Sequence, residues 1–204
     1  MLSLVGVDEV GRGPLAGPVT LCALAVSGSD KRCLKRFLRY TRAGEMKDSK
    51  KMSLPEREEC AAALRAAAKT GSAISFSISH VSAKVIDRRG IVPAVRLALR
   101  RCLNKLSAEP RTSRLLLDGS LHAPKEFTDQ KTIVRGDQTV PIIALASVLA
   151  KVARDRKMRR LSKRHPGYGF DEHVGYGTSM HYRAIRRLGL SEIHRRSFLT
   201  RVKV

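Results

Sequence analysis

Hydrophobic positions along this chain fall into runs of two kinds, and their spacing predicts an alternation of strands and helices. Leu2 to Val7 is an apolar run, and Val19 to Val26 (VTLCALAV) is a second. Both read as buried strands. The turn between them is rich in Gly and Pro, which predicts an antiparallel pair. Asp30 to Arg42 is very basic, with Cys33, Leu34, Phe37 and Leu38 at helical spacing. Ser53 followed by Glu56 fits a capping box, and Pro55 suits a first helical turn. The expected helix runs to about Thr70 and stops at Gly71. Ala73 to Ser79 alternates, with Ile74, Phe76 and Ile78 on one face, as a strand does.

From about Ile91 a longer helix places Val95, Ala98, Leu99, Cys102, Leu103 and Leu106 on one stripe, with Arg96, Arg100 and Lys105 on the other side. Arg114 to Leu117 and Lys131 to Val134 are short strands. A strong helical pattern starts near Val140 and continues through Ala153. His165 to Thr178 holds Gly167, Gly169, Gly175 and Gly177 among Tyr168, Phe170 and Tyr176, the mark of a loop. A basic helix is expected from about Ser179 to Leu188. This order predicts an α/β fold: an early hairpin-like sheet followed by strand–helix units, in one domain over residues 1–204. From about residue 165 the chain becomes a loop and a C-terminal helical segment. Ligand sites on such sheets lie beyond the strand ends.

Charge narrows the choice of partner. Lys and Arg number 40 against 18 Asp and Glu, a net charge of +22 over 204 residues. Solubility needs far less, and each neutralised phosphate releases counterions, so a polyanion is the expected partner. The four cysteines (Cys22, Cys33, Cys60, Cys102) form no C-x-x-C pair, which argues against a zinc site or a redox motif. Cys22 and Cys102 sit in apolar patterns and read as reduced core residues. The six histidines form no H-x-x-x-H pair, and most of them read as surface or capping residues. No signal peptide and no membrane-length apolar run are recognised, so a cytoplasmic monomer without a membrane partner is expected.

Against so basic a background, the acids at strand ends stand out. Asp8 and Glu9 close the first apolar run, Asp118 closes Leu115 to Leu117, and Asp137 follows the run that ends at Val134. If these strands are neighbours pointing the same way, four carboxylates meet at one sheet edge, where mutual repulsion raises their pKa values. A divalent cation removes that repulsion, and oxygen-only ligands suit Mg²⁺ or Mn²⁺. Two such ions can stabilise the attacking and leaving oxygens of phosphodiester hydrolysis. Adjacent strand residues point to opposite faces, so Asp8 and Glu9 are expected to serve one site only where the strand is ending.

Gly11 and Gly13 let a ligand approach the backbone, or provide a turn that needs positive φ. Tyr176, between two glycines, is a ring placed to stack on a base or sugar or to anchor its loop. The Lys50–Lys51 pair ahead of a helix start is either a phosphate contact or a solvated pair. A basic, non-catalytic RNA- or hybrid-binding protein would explain the charge equally well, but not the strand-end acids.

With these residues in view, the chain resembles the ribonuclease HII family, type 2 ribonuclease H. The similarity rests on DEVGRGPLAGPV at Asp8 to Val19, DSKK at Asp48 to Lys51, LDG at Leu117 to Gly119 and GD at Gly136–Asp137. It continues through ASVLAKVARDR at Ala146 to Arg156, PGYGF at Pro166 to Phe170, GYGT at Gly175 to Thr178 and HRRSF at His194 to Phe198. The resemblance implies a ribonuclease H-like fold, with a mixed five-stranded sheet flanked by helices and a C-terminal helical segment. It implies hydrolysis of the RNA strand of RNA–DNA hybrids and at ribonucleotides embedded in duplex DNA, leaving 5′-phosphate and 3′-hydroxyl ends. By motif, Asp8, Glu9, Asp118 and Asp137 are the catalytic carboxylates, holding two Mn²⁺ or Mg²⁺ ions. Gly11, Arg12 and Gly13 contact the 2′-hydroxyl and backbone at the RNA–DNA junction, Lys50 contacts substrate, and Tyr176 stacks on the adjoining deoxynucleotide sugar. Ser120, Leu145, Ala153 and Val174 depart from the family pattern; none removes a carboxylate. Asp155 reads as structural.

Overall fold

The structure is a computed structural model, and it describes residues 3–28, 52–70 and 73–200. The basic segment from Asp30 to Arg42, Cys33, Lys50 with the rest of the DSKK motif, and the helix stop at Gly71 lie outside the described residues. The described chain runs β1 (Ser3–Val10), β2 (Val19–Ser27), α1 (Leu54–Lys69), β3 (Ile74–Val81), α2 (Ala83–Arg89), α3 (Ile91–Lys105), β4 (Ser113–Asp118), β5 (Gln130–Ile133), α4 (Gly136–Thr139), α5 (Pro141–Arg164) and α6 (Ser179–Leu188). A 3₁₀ turn at Arg196–Phe198 follows.

Five strands form one mixed sheet in the order β3-β2-β1-β4-β5. β1 pairs antiparallel with β2 and parallel with β4. β3 is antiparallel to β2, and β5 is parallel to β4. The hairpin-like start and the mixed five-stranded sheet thus stand as expected. Because β1, β3, β4 and β5 all point one way, their C-terminal ends share an edge.

Alternation along β1 distributes its side chains to two cores. Leu4 and Val10 pack on the face covered by α1 and α5, with Cys22, Leu24 and Leu64. Val5 and Val7 pack on the opposite face, under α2 and α3, with Ile86, Leu99 and Leu103. Cys22, Cys60 and Cys102 are buried free thiols, so the core reading of Cys22 and Cys102 stands. A third cluster around Phe170, Met158 and Tyr168 roots the C-terminal segment on the far half of α5. Among the described residues no helix is long and apolar enough to cross a membrane.

Local signals account for most boundaries. The capping box is complete: the Glu56 amide donates to Ser53 Oγ at 3.4 Å, and the Ser53 amide donates to Glu56 Oε2 at 2.7 Å. The short helix α2 is absent from the hydrophobic pattern; it lies between Ser82, its N-cap, and Gly90, where φ is 83°. Seven residues are too few to display a 3.6-residue period. α5 runs to Arg164, well beyond its apolar stretch, because its last turns pack against the C-terminal cluster.

Candidate active site

The register of β1 against β4 places Val7 opposite Leu117, so Asp8 and Asp118 are lateral neighbours at the next position. The expectation that β1 would be ending at Asp8 is corrected. The strand continues to Val10, with Asp8 opposite Cys22 and Glu9 opposite Leu21 on β2. Asp8 therefore points to the α5 face and Glu9 to the α3 face. Asp8 lies beside Asp118, and the charges of Glu9 and Asp118 still act on one another across the end of the sheet. Asp137 arrives from α4, the turn after β5, and its own amide donates to Asp118 Oδ1 at 3.2 Å.

The electrostatics are those of crowded carboxylates. Asp8 is 5% exposed. Burial pushes its carboxyl well above the ordinary value, Glu9 and Asp118 push the same way, and a hydrogen bond from Ser147 on α5 opposes them. Burial raises Glu9 to about 7, against the pull of Arg12. Arg12 Nη1 donates to Glu9 Oε1 at 3.0 Å and to Ser120 Oγ at 3.3 Å. The other oxygen, Glu9 Oε2, is buried with no hydrogen-bond partner. Among the described residues no three acidic, histidine or cysteine side chains are already drawn together at metal-binding spacing. The fit to a divalent cation is therefore one of donor chemistry: carboxylate oxygens only, a buried oxygen without a partner, and two acids that resist ionisation where they stand.

The turn after β1 is held from below by two buried arginines. Arg195 donates from Nη2 to the Gly11 carbonyl at 2.7 Å, from Nη1 to the Arg12 carbonyl at 2.8 Å and from Nε to the Gly17 carbonyl at 3.0 Å. Arg154 donates to the carbonyls of Pro18 (3.0 Å) and Ala16 (3.4 Å). Burial, and next the charge of Arg154, lower Arg195 to about 9.

Gly11 has φ 87°, and a Cβ there would lie 2.2 Å from Arg154 Nε, so the protein's own interior requires glycine at this position. A Cβ at Gly13 meets no protein atom within 4 Å, and the residue is exposed. Space above Gly13 is open to a ligand.

Tyr176 is 42% exposed, and its ring centroid lies 5.9 Å from the Arg154 guanidinium. The loop that presents it is fixed from within. The Tyr176 carbonyl only accepts, so His181 holds its proton on Nδ1 and donates across 2.9 Å. The bare His181 Nε2 then accepts from His194 Nε2 at 3.0 Å. His194 Nδ1 in turn accepts from the Ser191 amide (2.9 Å) and hydroxyl (2.8 Å). Burial lowers both rings to about 4.

Three histidines depart from the surface or capping reading given to most of them: His173, His181 and His194 are buried around Phe170. Arg154, Arg195 and Ser147 were likewise not singled out as functional, although each lies in a motif that carried the resemblance. Asp155 is buried and pairs with Lys151 at 2.9 Å, as a structural acid does. Lys50 cannot be placed, since it lies outside the described residues.

Comparison with known proteins gives one consistent result. The model of the family described as Ribonuclease HII matches residues 5–201. A ribonuclease HII of Synechococcus sp. (strain WH7803) is 43% identical over 198 residues, covering 97% of this chain and 95% of the relative. Among solved structures, the PCNA:RNase HII complex from Archaeoglobus fulgidus matches with a TM-score of 0.71 at 22% identity, covering 100% of this chain and 96% of that one. Bst-RNase HIII in complex with Mn²⁺ matches with a TM-score of 0.64 at 17% identity, covering 92% of this chain and 63% of that one. These structural likenesses bear on the fold.

Proposed function

This chain belongs to the ribonuclease HII family, endoribonucleases that cleave RNA in RNA–DNA hybrids and at ribonucleotides embedded in DNA, and we propose that Asp8, Glu9, Asp118 and Asp137 are the carboxylates through which it does so. The observation that carries this assignment is the convergence of acids at the shared end of β1, β4 and β5, in a protein otherwise strongly basic. Asp8, flanked by Glu9 and Asp118, would anchor the ions, Glu9 and Asp118 would complete their coordination, and Asp137 would bind the ion that activates water. Bound Mg²⁺ or Mn²⁺ would supply activation of water for in-line attack and charge neutralisation at the leaving 3′-oxygen, giving 5′-phosphate and 3′-hydroxyl ends.

The residues around the carboxylates do the selecting. The Gly11–Arg12–Gly13 turn reads the 2′-hydroxyl, the one local difference between a ribonucleotide and a deoxyribonucleotide. Open space at Gly13 lets a sugar approach the backbone, and Arg195 keeps the Gly11 and Arg12 carbonyls turned inward. Tyr176 stacks on the sugar of the adjoining deoxynucleotide, supported beneath by Arg154. Arg12, bound to Glu9, couples the reader to the reacting edge.

The test uses an end-labelled DNA duplex with one ribonucleotide, incubated with Mn²⁺ and with EDTA. Cleavage at the ribonucleotide, dependent on the cation and lost in Asp118→Asn with binding retained, is expected. Undiminished cleavage by Asp118→Asn would remove Asp118 from the site.

A further inference from the structure

A groove leads away from Arg12 between α3 and the 119–129 connection. Its near end is lined by Arg12, Ser120, Val92, Val95 and Leu121. Its far end, about 460 Å³ in volume, is lined by Arg100, Pro124, Lys125 and Glu126. Arg96, Leu99 and His122 line both, so the two parts adjoin.

The fold explains the course of this groove. β3 and β4 end at the same sheet edge. α3 starts beside that edge and descends, and the connection from Asp118 to Gln130 descends next to it, packed on the same core through Leu121, Ala123 and Phe127. The groove thus opens at Arg12, the side chain already bound to Glu9.

Its lining has the chemistry of a polyanion track. Arg96, Arg100, His122 and Lys125 are exposed, and Glu126 is the acid among the lining residues. Arg96 and Arg100 are one helical turn apart on one face, about 6 Å along the axis, so they reach different phosphates. Neither is needed to bury α3, whose core face is formed by Val95, Ala98, Leu99 and Cys102. Among the described residues, no ion pair occupies Arg96, Arg100 or Lys125. Val92, 45% exposed, and Leu99 supply an apolar floor for sugars.

We propose that this groove holds the sugar–phosphate backbone of the substrate as it leaves the catalytic edge, with Arg96, Arg100 and Lys125 paired to phosphates beyond the nucleotide at Arg12. The proposal rests on the assignment of that edge as the active site, and it adds a contact that neither the catalytic carboxylates nor the glycine turn provides. It makes affinity depend on the length of one arm of the substrate.

The experiment measures anisotropy of a labelled duplex with one embedded ribonucleotide, in EDTA, across a salt series. The double variant Arg96→Gln/Arg100→Gln is compared with Lys125→Gln and with a control, Lys105→Gln/Arg111→Gln, that removes equal charge elsewhere. The groove double variant is expected to bind about tenfold more weakly, with a salt slope smaller by about two; Lys125→Gln lowers the slope by about one, and the control keeps the wild-type slope. Trimming one arm of the duplex reproduces the loss in the wild type and has no further effect on the double variant. Equal slope changes in groove and control variants, or simple addition of the trimming and substitution effects, would overturn the groove. Cleavage with Mn²⁺ is measured in parallel. Wild-type cutting at the ribonucleotide keeps the active-site assignment intact whatever the groove result, whereas no metal-dependent cutting by the wild type would remove that assignment itself.

Discussion

Arg195 donates to the carbonyl of Gly11 at 2.7 Å, joining residues 184 positions apart through a fully buried guanidinium. The C-terminal segment is in this way part of the turn that follows Asp8 and Glu9. Three carbonyls take their hydrogen bonds from this one side chain. Replacing it leaves buried acceptors unsatisfied, at about 1–3 kcal/mol each. Arg195→Met is expected to lower unfolding stability by about 3 kcal/mol or more in urea titrations. Arg195→Lys, which keeps the charge but not the fork of donors, should retain more stability and still lose at least tenfold in kcat/KM for a single embedded ribonucleotide. Full activity in Arg195→Lys would show that the turn holds its shape without the clamp.

The carboxylate edge holds acids that are costly to ionise. Asp8 is buried beside Glu9 and Asp118, and all three raise its cost of ionisation. Asp8→Asn is expected to abolish cleavage and, in EDTA, to raise stability by about 1 kcal/mol at neutral pH, by removing a carboxyl whose burial, and next its acidic neighbours, oppose ionisation. The gain should vanish in acid, where the carboxyl is already protonated. A metal-free melting temperature equal to or below that of the wild type would contradict this account.

Gly6 sits where β1 packs tightly against α5. A Cβ there would lie 2.6 Å from the Ile142 backbone carbon and oxygen. Backbone cannot step aside as a flexible side chain can, so Gly6→Ala is expected to destabilise by about 3 kcal/mol through overpacking. It should also displace Ser147 from Asp8, so that activity falls even at temperatures where the variant remains folded. Thermal melts and cleavage rates on one preparation check both.

The His181–His194 pair makes the C-terminal segment sensitive to acid. Both rings are lowered from the ordinary 6.5 to about 4. Between those values the unfolded chain binds more protons than the folded one. Their contribution to stability is therefore full above about pH 6.5, falls as pH decreases, and is lost below about 4. Protonation sets N–H against N–H where His194 now donates to His181. His194→Gln should flatten the pH dependence of the melting temperature in this window. An unchanged slope in that variant would rule the pair out as its source.

Much of the fold was legible because its determinants are local. The apolar runs at Val19 to Val26 and Leu115 to Leu117, the capping box at Ser53 and the stripe on α3 each write a short-range pattern into the chain. The strand-end acids were legible for the same reason, as a departure from neighbouring composition. α2 was missed because a single short helix has no period to display.

The amino-acid sequence by itself thus determined which segments become strands and helices, that acids close several of them, and that the surface attracts a polyanion. Only the tertiary structure decided how those acids meet. Register sets Asp8 beside Asp118, while alternation sends Asp8 and Glu9 to opposite faces of the sheet. It also decided that Arg195 and Arg154 belong to the glycine turn and that His181 and His194 belong to Tyr176. The physical reason is that hydrogen bonds between residues distant in the chain have no sequence period. Their donors and acceptors find one another only when burial leaves them no water to bind.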